Sequence, residues 1–387
     1  MQPYETVSAV SAAVTRRSEA LRESRASFFE RKLTMSETMH AGVVHAKDDI
    51  RYEQIEKPEP KAGEVLVKVK FTGICGSDVP RVLGDACHFF PNVLGHEFSG
   101  TVEAVGEGVT SVIAGDRVAG VPLVPCMECD DCKRGDYALC KHYSFVGSRQ
   151  FGSFSEYVCV PELNVVKFDD AVTFEQAALF EPTTIALHGL ERLDSVSGKT
   201  VAVLGGGTIG ILTAMWAKAF GAREVTVVDI IPERLEFAQK MGATSALNSM
   251  DEDFETKALA LTDNKGYDRV FETAGAIPTM KMTLDLVANK GQICLIGTPK
   301  NTISFTVDQW EQINRKECIL TGSWMSYSAP FPGLEWTLTA EAYRSGMLKF
   351  DEGLVFATYP LSEIDKAFDA YRTPGAVKGK VLIDSTR

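Results

Sequence analysis

From about residue 40 the chain consists of short segments in which apolar and charged residues alternate. The stretch Glu64–Cys75 (EVLVKVKFTGIC) has the two-residue period of a strand that is buried on one face. The stretches Phe98–Val109 and Ala114–Leu123 continue this pattern, and their glycines indicate turns. The pattern predicts a β-rich first part, with short strands that are interrupted by glycine and proline.

Near residue 196 the pattern changes to apolar strands that alternate with helical segments. Such alternation is typical of a doubly wound parallel sheet, so the predicted fold class is α/β. After about residue 330 the sequence no longer follows one of these two patterns. Near its C-terminus the motif GKVLI predicts a final strand. The predicted strands of the alternating part are Thr200–Leu204, Tyr267–Glu272 and Gln292–Ile296, and the predicted helices are Ile209–Phe220, Pro232–Met241 and Ile277–Val287.

Residues 1–38 differ in composition from the rest of the chain, because Ala, Ser, Arg and Glu dominate them. They are predicted to form an N-terminal extension that is disordered or helical. A true start at Met35 or Met39 and a genuine interaction helix are the alternatives. Acidic residues such as Glu19 and Glu23 argue against an organellar transit peptide.

The overall composition excludes several classes of protein. The 387 residues are 45% hydrophobic and carry a formal net charge of −12, which argues against nucleic-acid binding through a basic surface. No stretch has the ~18 apolar residues that a membrane span needs, and the N-terminus lacks the apolar core of a secretory signal. We therefore expect a cytoplasmic protein whose nine cysteines are thiols or metal ligands rather than disulfides.

A glycine turn in the alternating part indicates a nucleotide site. Gly205, Gly207 and Gly210 form G-x-G-x-x-G between a predicted strand and a predicted helix, where the helix N-terminus favours a diphosphate. Asp229 ends the next strand, nineteen residues beyond Gly210, which predicts NAD rather than NADP because a carboxylate binds the ribose hydroxyls and repels a 2′-phosphate. The predicted cofactor site also includes Thr208, Ile209, Arg234, Ala274, Gly275, Ile296 and Gly297.

Four cysteines lie within fifteen residues of one another. Cys126, Cys129, Cys132 and Cys140 have the spacing C-x2-C-x2-C-x7-C, which suits a closed tetrahedral site. An iron–sulfur cluster also uses four thiolates. A single loop beside a nucleotide-binding pattern favours a structural zinc ion that stabilises a lobe with little core of its own.

A second set of metal-binding residue types is dispersed along the chain. Cys75, His96, Glu97 and Glu181 occur in GICGSD, LGHEFSG and LFEPTT. Taken singly they are compatible with a buried thiol, a core histidine and a helix-start carboxylate. Ligands drawn from separate elements, with one position left for substrate, are what a catalytic metal requires.

From about Met39 to the C-terminus the sequence resembles the zinc-containing medium-chain dehydrogenases. The matching motifs are CGSD, GHEFSG, GDRV, the four-cysteine loop, the glycine turn and the dipeptide Glu181–Pro182, which is similar to sorbitol dehydrogenases. The resemblance implies a β-rich GroES-like catalytic domain and a Rossmann nucleotide domain. The implied boundaries are 39–190 with 326–387 for the catalytic zinc domain and 191–325 for the NAD-binding domain.

The resemblance also implies an active site. Cys75, His96 and Glu181 would hold the catalytic zinc, and Glu97 would be an alternative ligand or a neighbour of the metal. Asp78 would orient His96, and Ser77 would accept the proton of the substrate hydroxyl. Many relatives carry a histidine where this chain has Pro80, so the implied route of the proton to solvent differs here.

The implied reaction is the NAD-linked oxidation of a polyol phosphate to a ketose phosphate. Galactitol 1-phosphate, oxidised to tagatose 6-phosphate, is the expected substrate; free polyols and a non-catalytic nucleotide-binding protein are the alternatives. Arg149 and then Arg81 are the cations expected to bind a phosphate, with donors from the run Ser323–Ser328. The expected assembly is a homodimer or a homotetramer.

Overall fold

The computed structural model describes residues 37–373 and 375–387. The predicted N-terminal extension therefore lies almost entirely outside the described residues. The described residues 37–39 and 55–57 belong to a compact unit of their own, in which Lys57 and Glu37 form an ion pair at 2.8 Å. All other described residues form the second unit, and no helix in the described part of the chain is long and apolar enough to span a membrane.

The first part of the chain is rich in short strands, as the alternating pattern predicts. Its helices are α1 (Val79–Val82), α2 (Asp130–Arg134), α3 (Phe174–Ala178) and α4 (Phe180–Glu191). Its strands are β1 (Thr38–Ala46), β2 (Asp49–Glu56), β3 (Glu64–Ile74), β4 (Asn92–Val93), β5 (Glu97–Val105), β6 (Arg117–Gly120), β7 (Leu123–Val124), β8 (Ser144–Phe145), β9 (Tyr157–Pro161) and β10 (Val165–Lys167).

The second part alternates between strands and helices. Its strands are β11 (Thr200–Leu204), β12 (Glu224–Asp229), β13 (Ser245–Asn248), β14 (Tyr267–Glu272), β15 (Val287–Leu295) and β16 (Ile319–Gly322). Its helices are α5 (Thr208–Ala219), α6 (Pro232–Lys240), α7 (Phe254–Ala260), α8 (Ile277–Leu286) and α9 (Val307–Arg315).

The chain then returns to the first part through α10 (Leu334–Ser345), β17 (Val355–Pro360), α11 (Ile364–Asp369) and β18 (Lys380–Asp384). Strand β18 is the segment that the motif GKVLI predicts. Short 3₁₀ turns occur at Tyr137–Leu139, Glu162–Asn164, Glu352–Leu354, Leu361–Glu363 and Ala370–Arg372.

The strands of the second part form one parallel sheet in the order β13-β12-β11-β14-β15-β16. Every residue of β11 is buried, as expected where helices cover both faces of a parallel sheet. The strand order reverses between β11 and β14. In such sheets a ligand binds beyond the carboxyl ends of the strands at this reversal, so the topology confirms the predicted doubly wound fold.

The predicted strand Gln292–Ile296 corresponds to the second half of a longer strand, which ends at Leu295, one residue earlier than predicted. Strand β15 begins at Val287, which pairs with Tyr267, and the register then shifts so that Gln292 pairs with Arg269. Lys290, inside the shifted stretch, has a positive φ of 61°. The helix before it therefore ends at Leu286, one residue earlier than predicted.

In the first part, the central sheet has the order β10-β6-β5-β3-β18-β17, and β9 also pairs with β3. Strand β18 runs antiparallel to β3, so that Val381 lies opposite Ile74. The last strand of the chain is therefore held beside the segment that leads into Cys75.

Helix α4 packs against α5 of the parallel sheet and against α10. The indole N–H of Trp216 in α5 donates to the carbonyl oxygen of Thr183 in α4 at 3.1 Å, and both residues are fully buried. The apolar residues around them form one continuous core. Because α4 is fixed from several sides, Glu181 near its N-terminus has a defined position.

Candidate active site and metal centres

A cavity of about 680 Å³ is lined by residues from both parts of the chain. It contains most of the residues that the sequence predicts for catalysis and cofactor binding. The predicted residues on its wall are Cys75, Ser77, Arg81, His96, Glu97, Arg149, Glu181, Gly207, Thr208, Ile209, Arg234, Ile296 and Gly297.

Three of these residues form a compact set of metal-ligand types. One ligand atom each from Cys75, His96 and Glu97 lies within 4.8 Å of the other two. Cys75 follows strand β3, whereas His96 and Glu97 stand at the start of β5, which pairs with β3. A thiol, an imidazole and a carboxylate are donors that zinc accepts, so the set fits this ion.

The buried Asp78 carboxylate lies beside the His96 ring. Its Oδ1 lies 3.5 Å from His96 Nδ1, while its Oδ2 accepts a hydrogen bond from the Cys75 amide at 3.1 Å. Burial opposes a charged imidazole, but the Asp78 carboxylate and the Cys75 thiol raise the pKa of His96 well above its usual value. With Nδ1 directed at a carboxylate, Nε2 is the ring atom available to a metal.

Glu97 is paired with a residue that the sequence analysis did not single out. Lys380 Nζ lies 2.6–2.7 Å from the two carboxylate oxygens of Glu97 and also donates to the Ile74 carbonyl at 3.2 Å. Both side chains are buried, and a methyl group at Gly73 would overlap Glu97 Oε2. A lysine at the start of an otherwise apolar final strand was the only available signal for this pair.

Glu181 lies on the wall of the same cavity, but its carboxylate is not part of the 4.8 Å set. Burial, and then the neighbouring Glu97 carboxylate, raise the pKa of Glu181 to about 7. A buried carboxyl group whose charge is disfavoured in this way gains stability from a cation beside it.

The four predicted structural ligands come together. Ligand atoms of Cys126, Cys129, Cys132 and Cys140 all lie within 4.8 Å of one another. The amides of Cys126 and Cys129 lie 3.4 Å from the sulfurs of Cys140 and Cys126 respectively. The backbone amides of Glu128 and Cys129 lower the pKa of Cys126 to about 7, whereas burial raises that of Cys132 to about 12. Four thiolates at this distance need a dication between them, so the set fits a closed zinc site.

The glycine turn has the geometry that its motif predicts. Gly205 has a positive φ of 111°, and a methyl group at Gly210 would overlap the carbonyl oxygen of Gly205, so close packing of α5 on β11 requires glycine there. Gly207, Thr208 and Ile209 open α5 and face the cavity.

Asp229 stands at the carboxyl end of β12, next to this turn. Its Oδ2 accepts a hydrogen bond from the Gly206 amide at 2.6 Å and lies 3.5 Å from Arg234 Nη1. Its Oδ1 accepts from the amides of Ile230 and Ile231. The backbone thus fixes the carboxylate without using all of its acceptor capacity.

Ala274 and Gly275, which the sequence assigns to the cofactor, do not line the cavity themselves. Their amides donate to Glu272 Oε1 at 3.1 and 3.0 Å, and Glu272 is fully buried at the end of β14. Their neighbours Thr273 and Thr298 do line the cavity. Glu272 is therefore a supporting residue that sequence reasoning missed, although an acid at the end of an apolar strand was a visible signal.

Only some of the residues that the sequence predicts for phosphate binding line the cavity. Arg81 and Arg149 line the cavity, and so does His88. In the polar run Ser323–Ser328, only residues 323–325 do so. Ser326 Oγ is within 2.7 Å of Thr184 Oγ1, and Ser328 Oγ donates to Glu335 at 2.6 Å, so these two hydroxyls serve the packing.

Comparison with known proteins gives the class of this chain. Residues 61–170 match the alcohol dehydrogenase GroES-like domain, and residues 208–340 match the zinc-binding dehydrogenase domain. The chain belongs to the zinc-containing medium-chain dehydrogenase family, and it is an enzyme of the alcohol and polyol dehydrogenase type. The domain boundaries implied by the sequence remain predictions.

Among individual proteins, the chain is 39% identical to galactitol 1-phosphate 5-dehydrogenase of Escherichia coli K12 over 296 residues, which are 76% of this chain and 86% of that protein. A crystal structure of galactitol-1-phosphate dehydrogenase from Escherichia coli superimposes with a TM-score of 0.85 at 35% identity, covering 89% of this chain and 100% of that one. A dehydrogenase from Escherichia coli CFT073, complexed with NADH, has a TM-score of 0.81 at 30% identity and covers 90% and 99% of the two chains.

The two cysteine-containing sets predict different consequences of substitution. Cys75→Ser should remove one zinc ion and abolish turnover while the melting temperature stays near the wild-type value. Cys129→Ser should remove the other zinc ion and lower the melting temperature by roughly 5 °C or more, because the loop around it loses its cross-link. Metal analysis and thermal unfolding of the purified variants measure both effects.

Cys159→Ser is the matched control, since this half-buried thiol on β9 belongs to neither set. It should retain two zinc ions, activity and melting temperature. Equal melting-temperature losses in Cys75→Ser and Cys129→Ser would contradict the division into a catalytic and a structural metal.

Proposed function

We propose that the protein oxidises a secondary alcohol of a polyol phosphate to a ketone, with zinc and NAD, and that its substrate is galactitol 1-phosphate, which yields tagatose 6-phosphate. The main support is that the set Cys75, His96 and Glu97 opens into the same cavity as the glycine turn of the parallel sheet. Two arginines on that cavity wall, in a chain of net charge −12, favour a phosphorylated substrate.

In this proposal Cys75, His96 and Glu181 hold the catalytic zinc. Glu97 is paired with Lys380, so in this proposal it stands beside the metal, whereas the buried Glu181 carboxylate has no such lysine partner among the described residues and would gain stability from the cation. When bound, zinc lowers the pKa of the substrate hydroxyl and NAD accepts the hydride from the carbon.

Ser77 is the proposed acceptor of the hydroxyl proton. Its Oγ accepts a hydrogen bond from Arg81 Nη1 at 3.0 Å, which fixes the oxygen and leaves a second lone pair for the substrate. The alcohol would pass its proton to Ser77 as the Ser77 hydroxyl gives up its own proton, and its carbon would give a hydride to the nicotinamide, so the carbonyl product would carry no added charge. Since Pro80 cannot relay a proton, we propose that the proton leaves Ser77 through the cofactor ribose.

The cofactor preference depends on Asp229. Asp229→Ser should raise the ratio of kcat/KM with NADP to kcat/KM with NAD by about 10- to 100-fold, because the repulsive carboxylate is lost and Arg234 is freed to bind a 2′-phosphate. Steady-state kinetics with both cofactors measure the ratio. Asp253→Ser is the control, because Asp253 is an exposed carboxylate in the same part of the chain, and this variant should leave the cofactor ratio unchanged. An unchanged cofactor ratio in Asp229→Ser would show that Asp229 does not determine the preference.

The substrate assignment is tested by following NADH formation with galactitol 1-phosphate, galactitol and sorbitol, with zinc content measured on the same sample. We expect galactitol 1-phosphate to have the largest kcat/KM, by about 100-fold or more, because the free polyols lack the phosphate that the cavity arginines bind. A larger value for either free polyol would replace the proposed substrate with an unphosphorylated one. No oxidation of any polyol by the zinc-loaded protein would contradict the proposed reaction itself.

We also propose that the enzyme is a cytoplasmic homodimer or homotetramer, assembled through the edge of the parallel sheet. Among the strands that the structure describes, β16 pairs only with β15, so its other edge is unpaired. Ile319 and Leu320 on this strand are 54% and 40% exposed. An exposed apolar edge strand is suited to pairing with its symmetry copy.

Leu320→Lys should shift the mass in solution toward the monomer, because it introduces like charges close together across the paired edge. Light scattering coupled to size-exclusion chromatography measures this mass. Met250→Lys is the control, since Met250 is 75% exposed and lies just after β13 at the opposite edge of the sheet. A wild-type monomer, or an unchanged mass in Leu320→Lys, would exclude assembly through β16.

A further inference from the structure

Two arginines and a histidine from the β-rich part of the chain line the active-site cavity. Arg81, His88 and Arg149 all line it, and we call this group the cationic corner. We propose that the cationic corner is the subsite for the phosphate dianion of the substrate, and that Arg149 determines the selectivity for phosphorylated over free polyols. The inference rests on the proposed polyol oxidation and deepens it.

Arg149 is held in place without a counter-ion. Its guanidinium lies over the Tyr143 ring at 4.3 Å, and Nη2 donates to the Tyr143 hydroxyl at 3.3 Å. No carboxylate in the described part of the chain forms an ion pair with it, although most other arginines there have one. Stacking on a ring orients the planar donor fork and leaves its remaining N–H groups for a planar or tetrahedral anion.

Arg81 links the corner to the reacting end of the cavity. Its Nη1 donates to Ser77 Oγ at 3.0 Å and to Asp78 Oδ1 at 3.3 Å, and its side chain is largely buried. The Ser77 amide in turn lies 3.5 Å from Cys75 Sγ. The polar contacts therefore run from the metal ligand Cys75 through Ser77 to Arg81.

His88 lies in the positive field of both arginines. Its pKa is lowered by partial burial, then by Arg149 and then by Arg81, and no carboxylate opposes them. All three residues line the same cavity, and the lowered pKa favours a neutral His88, which can still donate a hydrogen bond to an anion. Such a cluster, on a protein with an overall charge of −12, is stabilised by an anion that enters it.

The position of the corner distinguishes it from the diphosphate site of the cofactor. The glycine turn and the N-terminus of α5 lie in the second part of the chain, which contains the parallel sheet. Arg81, His88 and Arg149 all lie in the first, β-rich part. Because Arg81 contacts Ser77, an extended polyol whose hydroxyl reaches Ser77 can place its far end beside Arg81 and the other residues of the corner. A carboxylate on a sugar acid is also an anion, with a single negative charge and fewer oxygens, so it is the competing ligand.

The test measures kcat/KM of the zinc-loaded enzyme for galactitol 1-phosphate, galactitol and galactonate. Arg149→Ala should lower the ratio of galactitol 1-phosphate to galactitol by about 10- to 100-fold, mainly through KM, because a charge-assisted hydrogen bond to the phosphate is lost. Arg149→Lys should recover only part of the ratio, since an ammonium group lacks the fork. Arg223→Ala, an exposed arginine outside the cavity, is the control and should keep the wild-type ratio.

A second variant and a binding measurement separate positioning from loss of structure. His88→Gln should reduce the ratio less than Arg149→Ala, because His88 is exposed at the rim. Calorimetric binding of galactitol 1-phosphate to Arg149→Ala should be weakened by a similar factor as KM, with an unchanged melting temperature. Arg81 is not substituted, because its loss would also release Ser77.

The outcomes differ for the inference and for the proposed function. If the wild type prefers galactitol 1-phosphate and Arg149→Ala retains the preference, the inference is wrong and the proposed function stands. If galactonate is the preferred substrate and Arg149→Ala abolishes that preference, the corner binds a carboxylate and the phosphate assignment is overturned. If the wild type shows no preference for an anionic polyol, the proposed substrate and the inference both fail.

Discussion

The buried ion pair between Glu97 and Lys380 is the constraint on which the active site depends. Charged groups in a protein interior are stable only when they are paired and hydrogen-bonded, and removal of one partner leaves the other uncompensated. The two residues are 283 positions apart, so the pair can form only if the chain returns to β3 after completing the parallel sheet. In chain order, the parallel sheet thus lies between two segments that contribute strands to the same antiparallel-rich sheet, β3 and β18.

This arrangement places the candidate metal ligands and the glycine turn on the wall of one cavity. Strands β3 and β5 provide Cys75, His96 and Glu97, and α4 provides Glu181 from the segment that leads into the parallel sheet. Because α4 packs on both α5 and α10, its position couples the two parts of the molecule. The four-cysteine loop lies outside this cavity, which agrees with a structural rather than a chemical role.

Local patterns were enough to predict much of the fold. The alternation in Glu64–Cys75 and the apolar strand before Gly205 correspond to β3 and β11, and GKVLI corresponds to β18. The register shift inside β15 was not predictable, because it depends on pairing with β14 rather than on the residues of the strand. Lys380 and Glu272 were missed for a similar reason. Lys380 pairs with Glu97, which is distant in sequence, and Glu272 accepts hydrogen bonds from the amides of the turn that follows it.

By itself the sequence determined the division into a β-rich part and a doubly wound part, the glycine turn and the closed cysteine set. Each of these is encoded in residue spacing over a few positions, and local geometry follows directly from such spacing. Only the tertiary structure decided which dispersed residues meet. It placed Glu97 with Cys75 and His96, paired Glu97 with Lys380 and left Glu181 outside the compact set. It also placed His88 on the wall of the same cavity as Arg81 and Arg149. Those contacts depend on strand register and on the return of the C-terminal strand, and a linear pattern contains neither.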